Sequence, residues 1–120
     1  MKIILTAKGK QISDEMDTRF GRAGFFILVD TETNETTAHD NSQNLNAAQG
    51  AGIQAAQSVV RLGAEAIISG NVGPNAFQTL NAAGVKMYLC PRITVEEAIR
   101  KFKAGELKEV VSANVQGHWA

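Results

Sequence analysis

The parts of this chain best suited to chemistry are glycine-rich turns and cationic side chains. Gly70-Asn71-Val72-Gly73-Pro74-Asn75 joins two glycines, over which backbone amides can approach a ligand closely, to a proline of the kind that opens a helix. A helix starting there aims its first N–H groups and the positive end of its dipole forward, so an anion is the natural guest. Gln49-Gly50-Ala51-Gly52 heads another helix in the same way. Arg19, Arg22, Lys8, Lys10 and Arg92 can place positive charge around such a site, and Asp14, Glu15 and Asp17 dilute it. The plainer alternative is that the glycines serve tight turns and helix–strand packing, because short glycine motifs have low specificity.

Soft ligands are scarce. Cys90 is the single cysteine; it follows an apolar run and precedes Pro91. It cannot form an internal disulfide, and one thiol cannot supply a multi-cysteine iron–sulfur or zinc site. Its thiolate would suit copper(I), which makes it the candidate protein ligand for a metal, against the reading of a small buried hydrophobe. Met16 stands between contact with a sulfide cluster and simple gap filling over the core. His39 and His118 lack a partner at metal-binding spacing, and His118 lies next to Trp119 in the tail. Phe20, Phe25 and Phe26 read as core or pocket wall.

These residues sit in 120 positions, 44% hydrophobic and 20% charged, which suits one domain, 1–120, around a single core. Twelve basic against twelve acidic residues leave no net field to gather a polyanion, which argues against nucleic acid or a membrane surface as partner. The first apolar run, Ile3 to Leu5, is too short for a signal-peptide core or a membrane span, and a cytoplasmic protein is expected.

The elements that must position the turns follow from pattern. Lys2 to Ala7 and Phe25 to Thr31 read as buried strands, and Thr36 to Asp40 returns as an edge strand after a turn-forming cluster. Ile53, Ala56, Val60 and, less well, Val59 recur at helical spacing from about Gln49 to Leu62, with Gly63 as terminator. Glu65 to Ser69 is a strand. Pro74 opens a helix through Ala76, Phe77, Leu80 and Ala83, closed at Gly84, and Val85 to Leu89 is the next strand. Thr94 with Glu97 makes a capping box for a helix through Ala98, Ile99 and Phe102 that ends at Gly105. The tail from Glu106 is expected to be irregular, with local packing of Leu107 to Val111. Right-handed crossovers then give an α/β fold with a mixed five-stranded sheet of order 3-2-1-4-5 flanked by helices, resembling the ribonuclease H-like arrangement.

In that topology the loops 8–24, 41–52, 70–75 and 90–94 meet at one sheet edge. A crevice is expected between the first and fourth strands at their carboxyl ends, the usual ligand position in open α/β sheets.

Arg19-Phe20-Gly21-Arg22-Ala23-Gly24-Phe25-Phe26, Gly50-Ala51-Gly52-Ile53, Gly70-Asn71-Val72-Gly73-Pro74-Asn75-Ala76 and Thr94-Val95-Glu96-Glu97-Ala98 follow one another in an order and spacing that resemble the dinitrogenase iron–molybdenum cofactor biosynthesis family. The likeness covers nearly the whole chain. It implies a non-catalytic protein that binds or escorts an anionic metal–sulfur cluster, and the free-standing members it most resembles imply a sulfide-bridged molybdenum–copper cluster held without covalent cysteine attachment. The implied cluster-binding residues are Met16, Arg19, Phe20, Gly21, Arg22, Gly50, Gly52, Gly70, Asn71, Val72, Gly73, Pro74 and Asn75. Some relatives carry histidine where this chain has Arg19, so retention here falls to amides, arginine and apolar contacts. Other cytoplasmic proteins are possible partners.

Two alternative cargoes stay open: a precursor of the iron–molybdenum cofactor, and a phosphate or nucleotide bound by a regulatory module. The phosphate reading lacks the Lys-Ser/Thr ending of a phosphate-binding loop, because Pro74-Asn75 follows the glycine. A two-metal nuclease on the same scaffold needs inward carboxylates, yet Lys2 to Ala7 has none and the fourth strand ends at Ser69-Gly70.

Overall fold

The computed structural model describes residues 1–41 and 51–111. Lys2–Ala7 forms the central strand β1, with Ile3, Ile4, Leu5 and Ala7 wholly buried, as a strand covered on both faces requires. β2 (Phe25–Asp30) runs antiparallel to it, and β3 (Thr36–Asp40) returns antiparallel to β2. In the turn between them Asp30 Oδ1 accepts the Glu32 N–H at 2.9 Å and Asn34 takes φ 63°. Helix α1 (Ala51–Arg61) leads to β4 (Ala66–Ser69), α2 (Pro74–Ala82) to β5 (Lys86–Leu89), and α3 (Val95–Lys103) to β6 (Lys108–Glu109). β4 lies parallel to β1 and β5 parallel to β4.

The sheet order is β3-β2-β1-β4-β5-β6. The five expected strands stand in the expected order, and a sixth extends the edge. β6 pairs antiparallel with β5, and beyond it the Val110 N–H bonds Met87 O at 2.8 Å while the Val110 side chain enters the core. A two-residue edge strand made of Lys108 and Glu109 leaves no alternation to read, which is why the tail looks irregular as sequence.

The strands feed two cores. Ile4, Phe26, Ile67 and Met87 join Ala55, Val59, Ala76 and Leu80 of α1 and α2 on one face; Ile3, Leu5, Ile27 and Ile68 join Val95 and Ala98 of α3 on the other. α1 is rotated from the expected phase. Its buried residues are Ala51, Gly52, Ala55, Ala56 and Val59, while Ile53 and Val60 are 37% and 38% exposed. The small residues face inward because α2 packs close: a Cβ on Gly52 would lie 3.5 Å from Ala76 Cβ. Each helix is followed by a glycine at positive φ, 81° at Gly63, 76° at Gly84 and 74° at Gly105.

Candidate functional site

The 8–24 segment runs back into the sheet edge instead of arching over it. Lys8 N–H bonds Glu15 O at 3.0 Å, Asp17 N–H bonds Thr6 O at 3.0 Å, and Met16 N–H bonds Ile93 O at 2.8 Å, with Met16 bridged to Ala7. The crevice expected between β1 and β4 is thus filled by the chain's own residues 15–17. What remains of the edge is two separate loop clusters.

The first cluster lies on the side of α1 and α2. Arg19 forms a parallel bridge with Asn71, and Asn71 Nδ2 donates to Thr18 O at 3.1 Å, so the 18–22 loop and the 70–75 turn touch in register. Gly70 makes this contact possible: a Cβ there would stand 2.8 Å from Thr18 Cα. Gly21 plays the same part against α1, where a Cβ would stand 2.8 Å from Gly52 N. These glycines let loop pack on loop, which is the plainer of their two readings; its consequence is to gather three loop ends. Asn41, 2% exposed, pins the cluster by donating Nδ2 to Ala23 O at 2.7 Å and Gly21 O at 3.3 Å. Beneath it Thr6 Oγ1 donates to Asp17 O at 2.6 Å and lies 3.1 Å from Ser69 Oγ.

Charge in this cluster is arranged around Asp17. Its side chain is 5% exposed and its oxygens accept Arg19 Nε at 3.1 Å, Arg19 Nη2 at 3.2 Å and the Arg19 N–H at 3.0 Å. Donating hydrogen bonds to Asp17 raises the pKa of the Arg19 guanidinium above its ordinary value, and 60% of that side chain stays exposed. α2 points its N-terminus at the same place. Its N-cap is Gly73, without a side chain to cap it, Pro74 follows, and the first turn contains no acid.

The second cluster lies toward α3 and is closed upon itself. Glu15 Oε1 takes Lys8 Nζ at 2.6 Å and Arg92 Nε at 2.8 Å, and these bonds, Lys8 first, hold the Glu15 carboxyl below its ordinary value. The α3 N-terminus is capped by Thr94, whose Oγ1 accepts Glu97 N–H at 3.2 Å and donates to Glu97 Oε1 at 3.1 Å, and Glu96 and Glu97 occupy its first turn. Cys90 and Met16 are buried with Ile3, Leu5 and Val95; burial pushes the Cys90 thiol up from its ordinary value, which keeps it protonated at neutral pH.

The expected site residues therefore divide. Arg19, Asn71 and Asn75 are exposed at the first cluster, with Arg22, Gly70 and Pro74 half-buried there. Phe20, Gly21, Gly52, Val72 and Gly73 are buried beneath it, and Phe20 stacks on Phe26 with centroids 5.7 Å apart. Met16 lies in the opposite core, 1% exposed, where it fills a gap. Lys8 and Arg92 meet at Glu15 and Lys10 stands 5.8 Å over the Phe25 ring; of the cations expected from sequence, Arg19 and Arg22 lie on the loop against the 70–75 turn. Gly50, Gln49, His118 and Trp119 lie outside the described residues. Asp17, Asn41, Thr6 and Ser69 escaped sequence reasoning. The Asp17-x-Arg19 spacing was a usable signal, hidden by grouping Asp17 with its acidic neighbours.

An apolar groove of about 300 Å³ lined by Gln57, Val60, Arg61, Thr79 and Ala83 lies at the far ends of α1 and α2 from these loops. Among the described residues no helix is long and apolar enough to cross a membrane.

The family described as "Dinitrogenase iron-molybdenum cofactor" matches residues 1–105, and the chain belongs to it. The chain is similar to the orange protein of Desulfovibrio gigas, solved in its apo form, at 37% identity over 95% of this chain and 96% of that one, with a TM-score of 0.92. It is also similar to a putative NifB protein from Thermotoga, at 39% identity, 95% and 97% coverage and a TM-score of 0.84. An uncharacterised protein of Methanocaldococcus jannaschii is 29% identical over 91% of each chain.

Proposed function

We propose that this protein is a non-catalytic carrier of an anionic metal–sulfur cluster of the molybdenum–copper sulfide type, held non-covalently at the rim made by residues 18–22 and 70–75 and acting in the cytoplasm. The observation that supports the proposal is the register of Arg19 against Asn71, which sets the arginine-bearing loop against the turn that leads into α2. Membership of the family and similarity to the orange protein support it. The donor set fits such a cargo. Among the described residues no group of three or more His, Cys, Asp or Glu could hold a bare metal ion, and Cys90 is a buried thiol. A cluster that brings its own sulfide ligands and negative charge needs N–H donors and cations instead. Where a nuclease would carry carboxylates, the ends of β1 and β4 offer the buried hydroxyls of Thr6 and Ser69.

Incubating the apo-protein anaerobically with tetrathiomolybdate and copper(I), followed by desalting, is expected to leave a coloured complex with molybdenum and copper in fixed ratio to protein. Loss of all absorbance and metal on the column overturns the proposal. Parallel arms with an iron–molybdenum–sulfur precursor and with nucleotides decide the class of cargo.

A further inference from the structure

Asp17 and Arg19 form a pair whose burial is lopsided. The carboxylate is 5% exposed and the guanidinium 60% exposed. Asp17 engages Nε and Nη2, the inner edge of the planar fork, and also takes the Arg19 backbone N–H, so that side chain and main chain are fixed to one anchor. Asp17 is itself anchored: its N–H and C=O are bonded to Thr6, which belongs to β1. A guanidinium has five N–H donors, and a bidentate carboxylate consumes two of them. The remaining donors of Arg19 are therefore held in one orientation at the rim, beside Asn71.

Two roles for such a carboxylate make opposite predictions. If Asp17 merely neutralises Arg19, removing its charge strengthens anion binding. If it orients Arg19, removing the anchor weakens binding, because the ligand must then order a free arginine side chain. We infer that Asp17 is a positioning residue for anion capture: it presents a preoriented Arg19 fork to the cargo, and the cost of its own negative charge is outweighed by that orientation. The inference rests on the proposed rim as the binding site and adds to it the residue that sets its affinity.

The test is a double-mutant cycle read by titration of the apo-protein with tetrathiomolybdate plus copper(I), followed by visible absorption and visible circular dichroism. Arg19→Ala is expected to weaken binding by about tenfold or more, as for loss of charged hydrogen bonds. Asp17→Asn is expected to weaken it about fivefold, as for an unordered side chain, and to reduce the circular dichroism of the bound cluster. In the Arg19→Ala background the same Asp17→Asn change is expected to leave affinity equal or slightly raised. Arg19→Lys, which keeps charge but not the fork, gives a second route should Asp17→Asn unfold; it is expected to bind less tightly than wild type. Tighter binding by folded Asp17→Asn, or equal weakening in both backgrounds, overturns the inference. A wild-type protein that retains no cluster defeats the proposed function instead, so the two failures are distinguishable.

Discussion

Two helix N-termini open at the same edge of the sheet, and they are finished in opposite ways. α3 begins with Thr94, whose hydroxyl caps the Glu97 N–H, and carries Glu96 and Glu97 in its first turn; its dipole is already answered by the chain's own acids. α2 begins with Gly73 and Pro74, with no capping side chain and no acid in its first turn. The loops beside them differ in the same sense. Near α3, Lys8 and Arg92 share Glu15, a carboxylate 42% exposed, in an arrangement that solvent screens heavily. Near α2, Arg19 hangs from a buried Asp17; the two arginines are about equally exposed, 60% for Arg19 and 63% for Arg92, and the difference lies in the burial of the carboxylate that holds each. Among the described residues the α3 N-terminus carries a side-chain cap and first-turn acids that the α2 N-terminus does not, which is the physical basis for placing an anion at α2.

The contrast can be broken most forcefully at Gly70. A Cβ 2.8 Å from Thr18 Cα and 2.9 Å from Thr18 O forces the two loops apart, so Gly70→Ala is expected to cost about 3 kcal/mol in chemical denaturation and to abolish cluster retention. Asn75→Asp asks a subtler question by giving α2 the acid that α3 already has. Cluster affinity is expected to fall about tenfold while thermal stability rises by about 0.5 kcal/mol, opposite signs that simple misfolding cannot produce. The converse change, Thr94→Ala, is expected to cost about 1 kcal/mol of stability and to leave affinity unchanged. The smallest effect is expected at Glu15. Its folded pKa lies below the ordinary 4.5, so its contribution is present above that value and is lost as pH falls through the folded pKa. Glu15→Gln should therefore melt slightly below wild type at pH 7, and the two melting curves should converge on acidification below pH 4.5.

Much of the scaffold was legible because local rules and global fold agree in it. Gly63, Gly84 and Gly105 all take the positive φ that a helix terminator needs, Thr94 caps the Glu97 N–H as their spacing announces, with Glu97 Oε1 turned back to the Thr94 hydroxyl, and β1 is buried on both faces as its apolar run implies. The phase of α1 was not legible because alanine and glycine carry a weak hydrophobic signal, and the close approach of α2 decides the matter in their favour over Ile53 and Val60. β6 is set by tertiary pairing with β5 and has too few residues for a pattern. In the candidate site, residue types were legible and pairings were not. Nothing in the spacing of Lys8, Glu15 and Arg92 says that the three meet, since Arg92 and Glu15 are 77 positions apart and are joined by the return of residues 12–16 against the start of α3. From sequence Asp17 reads as one more diluting acid, and its pairing with Arg19 is fixed by the fold.

The central claim, that the anion binds at the α2 end of the sheet edge and not at the α3 end, is tested most directly by mapping backbone amide shifts of the ¹⁵N-labelled protein as tetrathiomolybdate and copper(I) are added. The largest changes are expected at Thr18 to Arg22 and at Asn71 to Ala76, with Lys8 to Glu15 and Cys90 to Glu97 nearly unmoved. Changes centred on Cys90, Arg92 and the α3 N-terminus, with the 70–76 amides still, would contradict it.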